Sequence, residues 1–126
     1  MLKTWGFSLI SLDTFYISFL NFLPDPPVIN ISMDKVAIDI NQTAILNCQA
    51  HSVPPSNFTW YRGSQVLAPG GRMSIMEAMV PSAYPYRTTL SIQDVVMSDL
   101  ASYRCEAVNS IGKNSFSVQL VVRSKC

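Results

Sequence analysis

The sequence predicts an all-β fold, and three observations carry that reading. From Val28 onward, short segments of alternating apolar and polar residues are separated by turn residues, and no run at helical period is long enough to matter. Hydrophobic residues make up 48% of the 126-residue chain and charged ones 13%, so it is apolar enough to bury a core and too weakly charged to stay disordered. Two aromatic residues stand at characteristic distances from two cysteines: Trp60 lies twelve residues beyond Cys48, and Tyr103 lies two before Cys105. The length leaves room for one domain of ordinary size.

The elements follow in order. Residues 1–23 carry Lys3 and then an apolar stretch broken once by Asp13. This leader reads as an atypical secretory signal, as a signal-anchor, or as truncated upstream sequence, because a positive start and an apolar run are present but no small-residue cleavage site follows. At 24–27 a Pro-rich joint marks the boundary, since prolines continue neither a helix nor a central strand. The domain is expected over 28–123, with a short tail at 124–126.

Inside it, Ala44, Leu46 and Cys48 take one face of a strand while Ile45, Asn47 and Gln49 take the other, and Pro54–Pro55–Ser56–Asn57 ends it in a turn. Phe58 and Trp60 belong to the next strand, which leaves through Arg62–Gly63–Ser64 into a short segment with Val66 and Leu67. Residues 68–85, with three prolines and the Gly70–Gly71 pair, are the least predictable part of the domain, and the strand expected there has the weakest signal. Leu90 and Ile92 then point inward, Val95 closes the base of the core, and Asp99 to Tyr103 make a corner. Along the following strand Tyr103, Cys105 and Ala107 face inward while Arg104, Glu106 and Val108 face out. Asn109 to Gly112 reads as a hairpin turn, after which Phe116, Val118, Leu120 and Val122 alternate to the end.

The stretch LSIQDVVMSDLASYRCEAVNSIG, Leu90 to Gly112, together with Pro26–Pro27–Val28–Ile29, Leu46, Cys48 and Trp60, resembles the signature of immunoglobulin I-set domains. The resemblance implies an immunoglobulin-like β-sandwich of two antiparallel sheets, in which a disulfide joins Cys48 to Cys105 across the sheets and Trp60 packs on it. Tyr103 would tie down the corner before its strand, with Leu46, Leu90, Asp99 and Ala107 completing the core signature. Such a crosslink is worth about 4 kcal/mol in the chain-entropy model and forms only in an oxidising compartment. Asn41 stands where the family has a turn glycine, and Asn tolerates left-handed backbone. Cys126 is left over, and a free thiol, a cut chain end and an intermolecular disulfide all remain open for it. More narrowly, the PPVI, YRTTLSI and YRCEAVNSIG segments resemble the membrane-proximal domains of lachesin-like and IgLON-like adhesion proteins, which implies one module of a longer protein.

Three Asn-x-Ser/Thr sequons, at Asn30, Asn41 and Asn57, fit a secreted context. Asn41 and Asn57 fall in expected turns before strands, and Asn30 lies near the first strand, partly shielded. Catalysis has little to work with. His51 is the one histidine and sits in an expected loop beside prolines, and neither Cys-x-x-Cys, His-Glu-x-x-His nor a Gly-rich phosphate loop occurs. No enzyme activity, cofactor or metal site is therefore expected. Nine Lys and Arg against eight Asp and Glu, without a basic cluster, give no electrostatic footprint for nucleic acid.

The resemblance implies an extracellular recognition or spacer module of an adhesion or receptor-type protein, at the cell surface or secreted, with a protein partner and membrane contact only through the N-terminal segment or missing regions. The alternatives are an intracellular structural module with reduced cysteines and a secreted soluble immunoglobulin-like protein. The candidate binding face is the outer side of the Trp60, Tyr103 and final strands, carrying Tyr61, Arg104, Glu106 and Val108, because Tyr and Arg are enriched at binding hot spots.

Overall fold

The computed structural model describes residues 23–30 and 33–123, so the readings of residues 1–22, of Cys126 and of Ser32 in the Asn30 sequon lie outside the described residues. Among the described residues nine strands form: β1 (Asp25–Ile29), β2 (Lys35–Ile38), β3 (Ala44–Val53), β4 (Asn57–Arg62), β5 (Gln65–Val66), β6 (Met73–Met79), β7 (Tyr86–Ile92), β8 (Ser102–Val108) and β9 (Lys113–Val122), with one 3-10 turn at Met97–Asp99. They make two sheets, one ordered β1-β3-β7-β6 and the other β2-β9-β8-β4-β5. All pairings are antiparallel except β2 with β9, which run parallel from Lys35 opposite Gln119 to Ile38 opposite Val122.

Alternation builds the core. Ala44, Leu46, Cys48 and Ala50 on β3, Leu90 and Ile92 on β7, Tyr103, Cys105 and Ala107 on β8, and Val118 and Leu120 on β9 are all buried between the sheets. Cys48 and Cys105 are disulfide-bonded across the gap, with their Cα atoms 6.4 Å apart. Trp60 sits directly opposite Cys105 on the neighbouring strand, fully buried, and its indole Nε1–H donates to Thr88 Oγ1 at 3.1 Å. Thr88 in turn lies opposite Cys48, so one hydrogen bond satisfies two buried polar groups in the middle of the sandwich.

In several places the structure departs from the sequence reading or sharpens it. Residues 73–79 give bounds to the strand that has the weakest signal in the sequence: they form a seven-residue edge strand paired with β7 along its whole length. Its sequence, MSIMEAM, is apolar on both faces, so no alternation betrays it. His51 lies within β3 opposite Val28, not in a loop, and its Nδ1 is 3.3 Å from Asp25 Oδ2. Asn57 is the first residue of β4 and not part of the preceding turn. β1 starts at Asp25, within the Pro-rich joint. Pro26 and Pro27 are accommodated because β1 is an edge strand with a register shift between Asp25 and Val28, where missing N–H donors leave no ladder partner stranded. Asn41 adopts φ 74°, the left-handed conformation required at its turn.

Two polar hubs close the ends of the sandwich. At one, Asn109 is buried and uses its whole amide: Nδ2 donates to the carbonyls of Asp25 (2.8 Å) and Pro54 (3.0 Å), and Oδ1 accepts from the N–H groups of Ile111 and Gly112, both at 3.0 Å. At the other, Asp99 accepts two hydrogen bonds from the Arg72 guanidinium, at 2.9 and 3.2 Å, and one from the Val96 N–H at 2.8 Å, while its carbonyl accepts the Tyr103 hydroxyl at 2.6 Å. The Arg72 hydrogen bonds hold the Asp99 carboxyl below its ordinary pKa against the opposing effect of burial, and the Val96 N–H adds to the lowering. Burial pushes the Tyr103 phenol above its ordinary value.

Candidate interaction face

The outer side of β4, β8 and β9 is assembled by register. Tyr61 lies opposite Arg104, which lies opposite Ser117; Thr59 lies opposite Glu106 and then Ser115; Asn57 lies opposite Val108 and then Lys113. Residues directly opposite share a face, so these side chains form a three-by-three patch.

At its centre the groups hold one another. The Arg104 guanidinium stands 4.0 Å from the centroid of the Tyr61 ring, the distance of a close cation–π contact. The Tyr61 hydroxyl donates to Glu106 Oε1 at 3.1 Å, and Glu106 Oε2 lies 3.7 Å from Arg104 Nη1 and 4.0 Å from Lys113 Nζ. The hydrogen bond to Glu106 holds the Tyr61 phenol above its ordinary pKa, with burial and the Glu106 charge acting in the same direction and Arg104 against them. The Glu106 side chain is 17% exposed, Arg104 36% and Lys113 73%, so the carboxylate is sheltered beneath two cations.

The four residues read from the sequence for this face thus share one surface. Tyr61, Arg104 and Glu106 touch, whereas Val108 continues the row toward Asn57 and Lys113. Lys113, Thr59 and Asn57 belong to the same surface and were not read as part of it. Strand parity alone places Thr59 and Asn57 beside Tyr61, but Lys113 enters through the hairpin register. Among the described residues no group of three or more His, Cys, Asp or Glu side chains gathers to hold a metal ion, and no helix is long and apolar enough to cross a membrane.

Two sheets closed by a buried disulfide, a tryptophan packed between them and a tyrosine tied to its own corner define a sandwich domain of immunoglobulin type. The model of the immunoglobulin I-set domain matches residues 27–122, and the chain belongs to that family. Mouse hemicentin-2 is 34% identical over 103 residues, covering 80% of this chain and 2% of that protein. Human IgLON family member 5 is 27% identical over 96 residues, covering 76% of this chain and 27% of the relative, so the chain spans a small part of the length of the proteins it matches. Among solved structures, a chain in the crystal structure of Dpr2 Ig1-Ig2 in complex with DIP-Theta Ig1-Ig3 superposes with a TM-score of 0.72 at 29% identity, over 79% of this chain and 33% of that one. The I-band fragment I67-I69 from titin superposes with a TM-score of 0.65 at 27% identity, over 77% of this chain and 32% of that one.

Proposed function

We propose that this domain is an extracellular protein-recognition module and that it binds its partner through the outer face of β4, β8 and β9. The observation that carries the reading is the Tyr61–Arg104–Glu106 cluster. A tyrosine and an arginine are held in place on an open sheet surface, which lowers the side-chain entropy lost on binding, and these residue types supply much of the energy at interfaces. The likeness to immunoglobulin domains captured in a complex with each other, and to IgLON family member 5, supports a protein partner of adhesion or receptor type. The buried disulfide favours an oxidising compartment.

The test is a binding screen of the full chain against cell-surface and matrix proteins, repeated with Arg104→Glu and Tyr61→Ala and with Asn47→Arg on the outer face of the other sheet. The first two variants are expected to weaken binding at least tenfold, equal to about 1.4 kcal/mol, while Asn47→Arg leaves it unchanged; the reverse pattern sinks the reading. An intracellular structural module is a second reading, favoured by the likeness to titin domains. Intact mass of the protein from medium and from lysate, after alkylation without reduction, separates the two. Protected Cys48 and Cys105 in the medium support the first reading, and a cytosolic species with both alkylated supports the second.

A further inference from the structure

We propose that Asn57 is an N-glycosylation site whose glycan covers the outer face of β4, β8 and β9, so that occupancy of this one asparagine decides whether the face is open to a protein. The consequence for binding rests on the reading of that face given above, whereas the placement of the glycan stands on geometry alone. Asn57 is exposed and opens the sequon Asn57–Phe58–Thr59. Along β4 the inward positions are Phe58, which packs against the core, and the buried Trp60, which leaves Asn57, Thr59 and Tyr61 on the outer side. In register Asn57 is one strand from Val108 and two from Lys113. At the usual strand spacing that is about 5 and about 10 Å, well inside the reach of a bulky glycan.

The other sequons point elsewhere. Asn41 sits in the exposed turn before β3, whose first residue Ala44 lies at the end of the sandwich remote from Asn57. Asn30 is half-buried beside β3, with its Nδ2 3.5 Å from Gln49 Oε1. Glycans on either would leave the Tyr61 face bare.

The modification joins Asn57 Nδ2 to C1 of an oligosaccharide carried on a polyprenyl pyrophosphate. The N–C1 bond forms, the C1–O bond breaks with its electron pair leaving on the pyrophosphate, and the amide nitrogen gives up one proton to a base of the transferring enzyme.

The test uses the full chain secreted from eukaryotic cells. Peptide mass spectrometry reads occupancy at Asn57, and acetylation of the native protein by an N-hydroxysuccinimide ester reads the accessibility of Lys113 against Lys35, which is exposed on β2 opposite Gln119, at the far end of β9. The expected result is an occupied Asn57 and a several-fold slower acetylation of Lys113 than in Asn57→Gln, with Lys35 unchanged. Thr59→Ser, which keeps the sequon, should retain the protection. An unmodified Asn57 in the secreted protein, or an occupied Asn57 with Lys113 as reactive as in Asn57→Gln, overturns the proposal. Because acetylation uses no partner, protection of Lys113 combined with binding that Arg104→Glu leaves unchanged in the Asn57→Gln background, where the face is open, supports the glycan placement and overturns only the reading of the face as a binding surface.

Discussion

The two ends of the sandwich solve the same problem with different chemistry. Around Asn109 a neutral amide satisfies two carbonyls and two N–H groups from β1, the β3–β4 turn and the β8–β9 hairpin. Around Asp99 a carboxylate and a guanidinium do the equivalent work for the 3-10 turn and β6. Both hubs are hydrogen-bonded, but the side chain at the centre is a neutral amide in one and a carboxylate in the other. The difference teaches where pH acts on the two hubs: the Asn109 amide does not titrate, and the Asp99 carboxylate does.

The largest expected effect comes from Asn109→Ala, which strips four backbone groups of their partner and should cost about 3 kcal/mol in urea unfolding, with the acid limb of the stability profile unchanged. Asp99→Asn removes the charge while nearly preserving shape and should cost about 2 kcal/mol at neutral pH. Its clearest signature is in acid. A folded-state pKa held below the unfolded value of about 4 gives stability that is fully present above that value and lost as pH falls through the lower folded one. Unfolding at pH 7 and pH 3 should therefore show a drop in the parent protein and in Asn109→Ala, and a smaller one in Asp99→Asn. If Asp99→Asn drops as steeply as the parent, the contrast between the ends collapses.

Tyr103→Phe deletes one buried hydrogen bond, for about 1 kcal/mol. It should also remove an alkaline limb, because a phenol raised by burial contributes stability below its unfolded pKa of about 10 that is lost as pH rises through the folded value. The smallest effect belongs to Arg72→Gln, expected below about 1 kcal/mol since that side chain is 44% exposed, and measurable as a reduced acid limb in a careful titration.

How much of this was legible in the sequence depends on whether the partner is fixed by local pattern. Asp99 and Tyr103 lie within one corner and could be read together with Cys105. Arg72 could not, because it reaches Asp99 from the start of β6, a strand whose Met73, Ile75, Met76 and Ala78 leave no period-two signal. Thr88 was hidden in the same way: a buried threonine in YRTTLSI looks like any β-former until the Trp60 indole is seen across the gap. For the outer face, alternation tells which side Tyr61, Arg104, Glu106 and Val108 occupy. It does not tell that Tyr61 faces Arg104 and Asn57 faces Val108, because register is set by the whole sheet.

The edge strand β6 has a practical consequence. Its outward backbone edge runs for seven residues, and Glu77 is the single charge among them, beside Met76 at 68% and Met79 at 73% exposure. A long apolar edge with one charge is a template for pairing between molecules, and that charge is what discourages it. Concentrated stocks of a Glu77→Val protein should therefore cloud sooner than those of the parent, a shelf-life difference that light scattering over days would record.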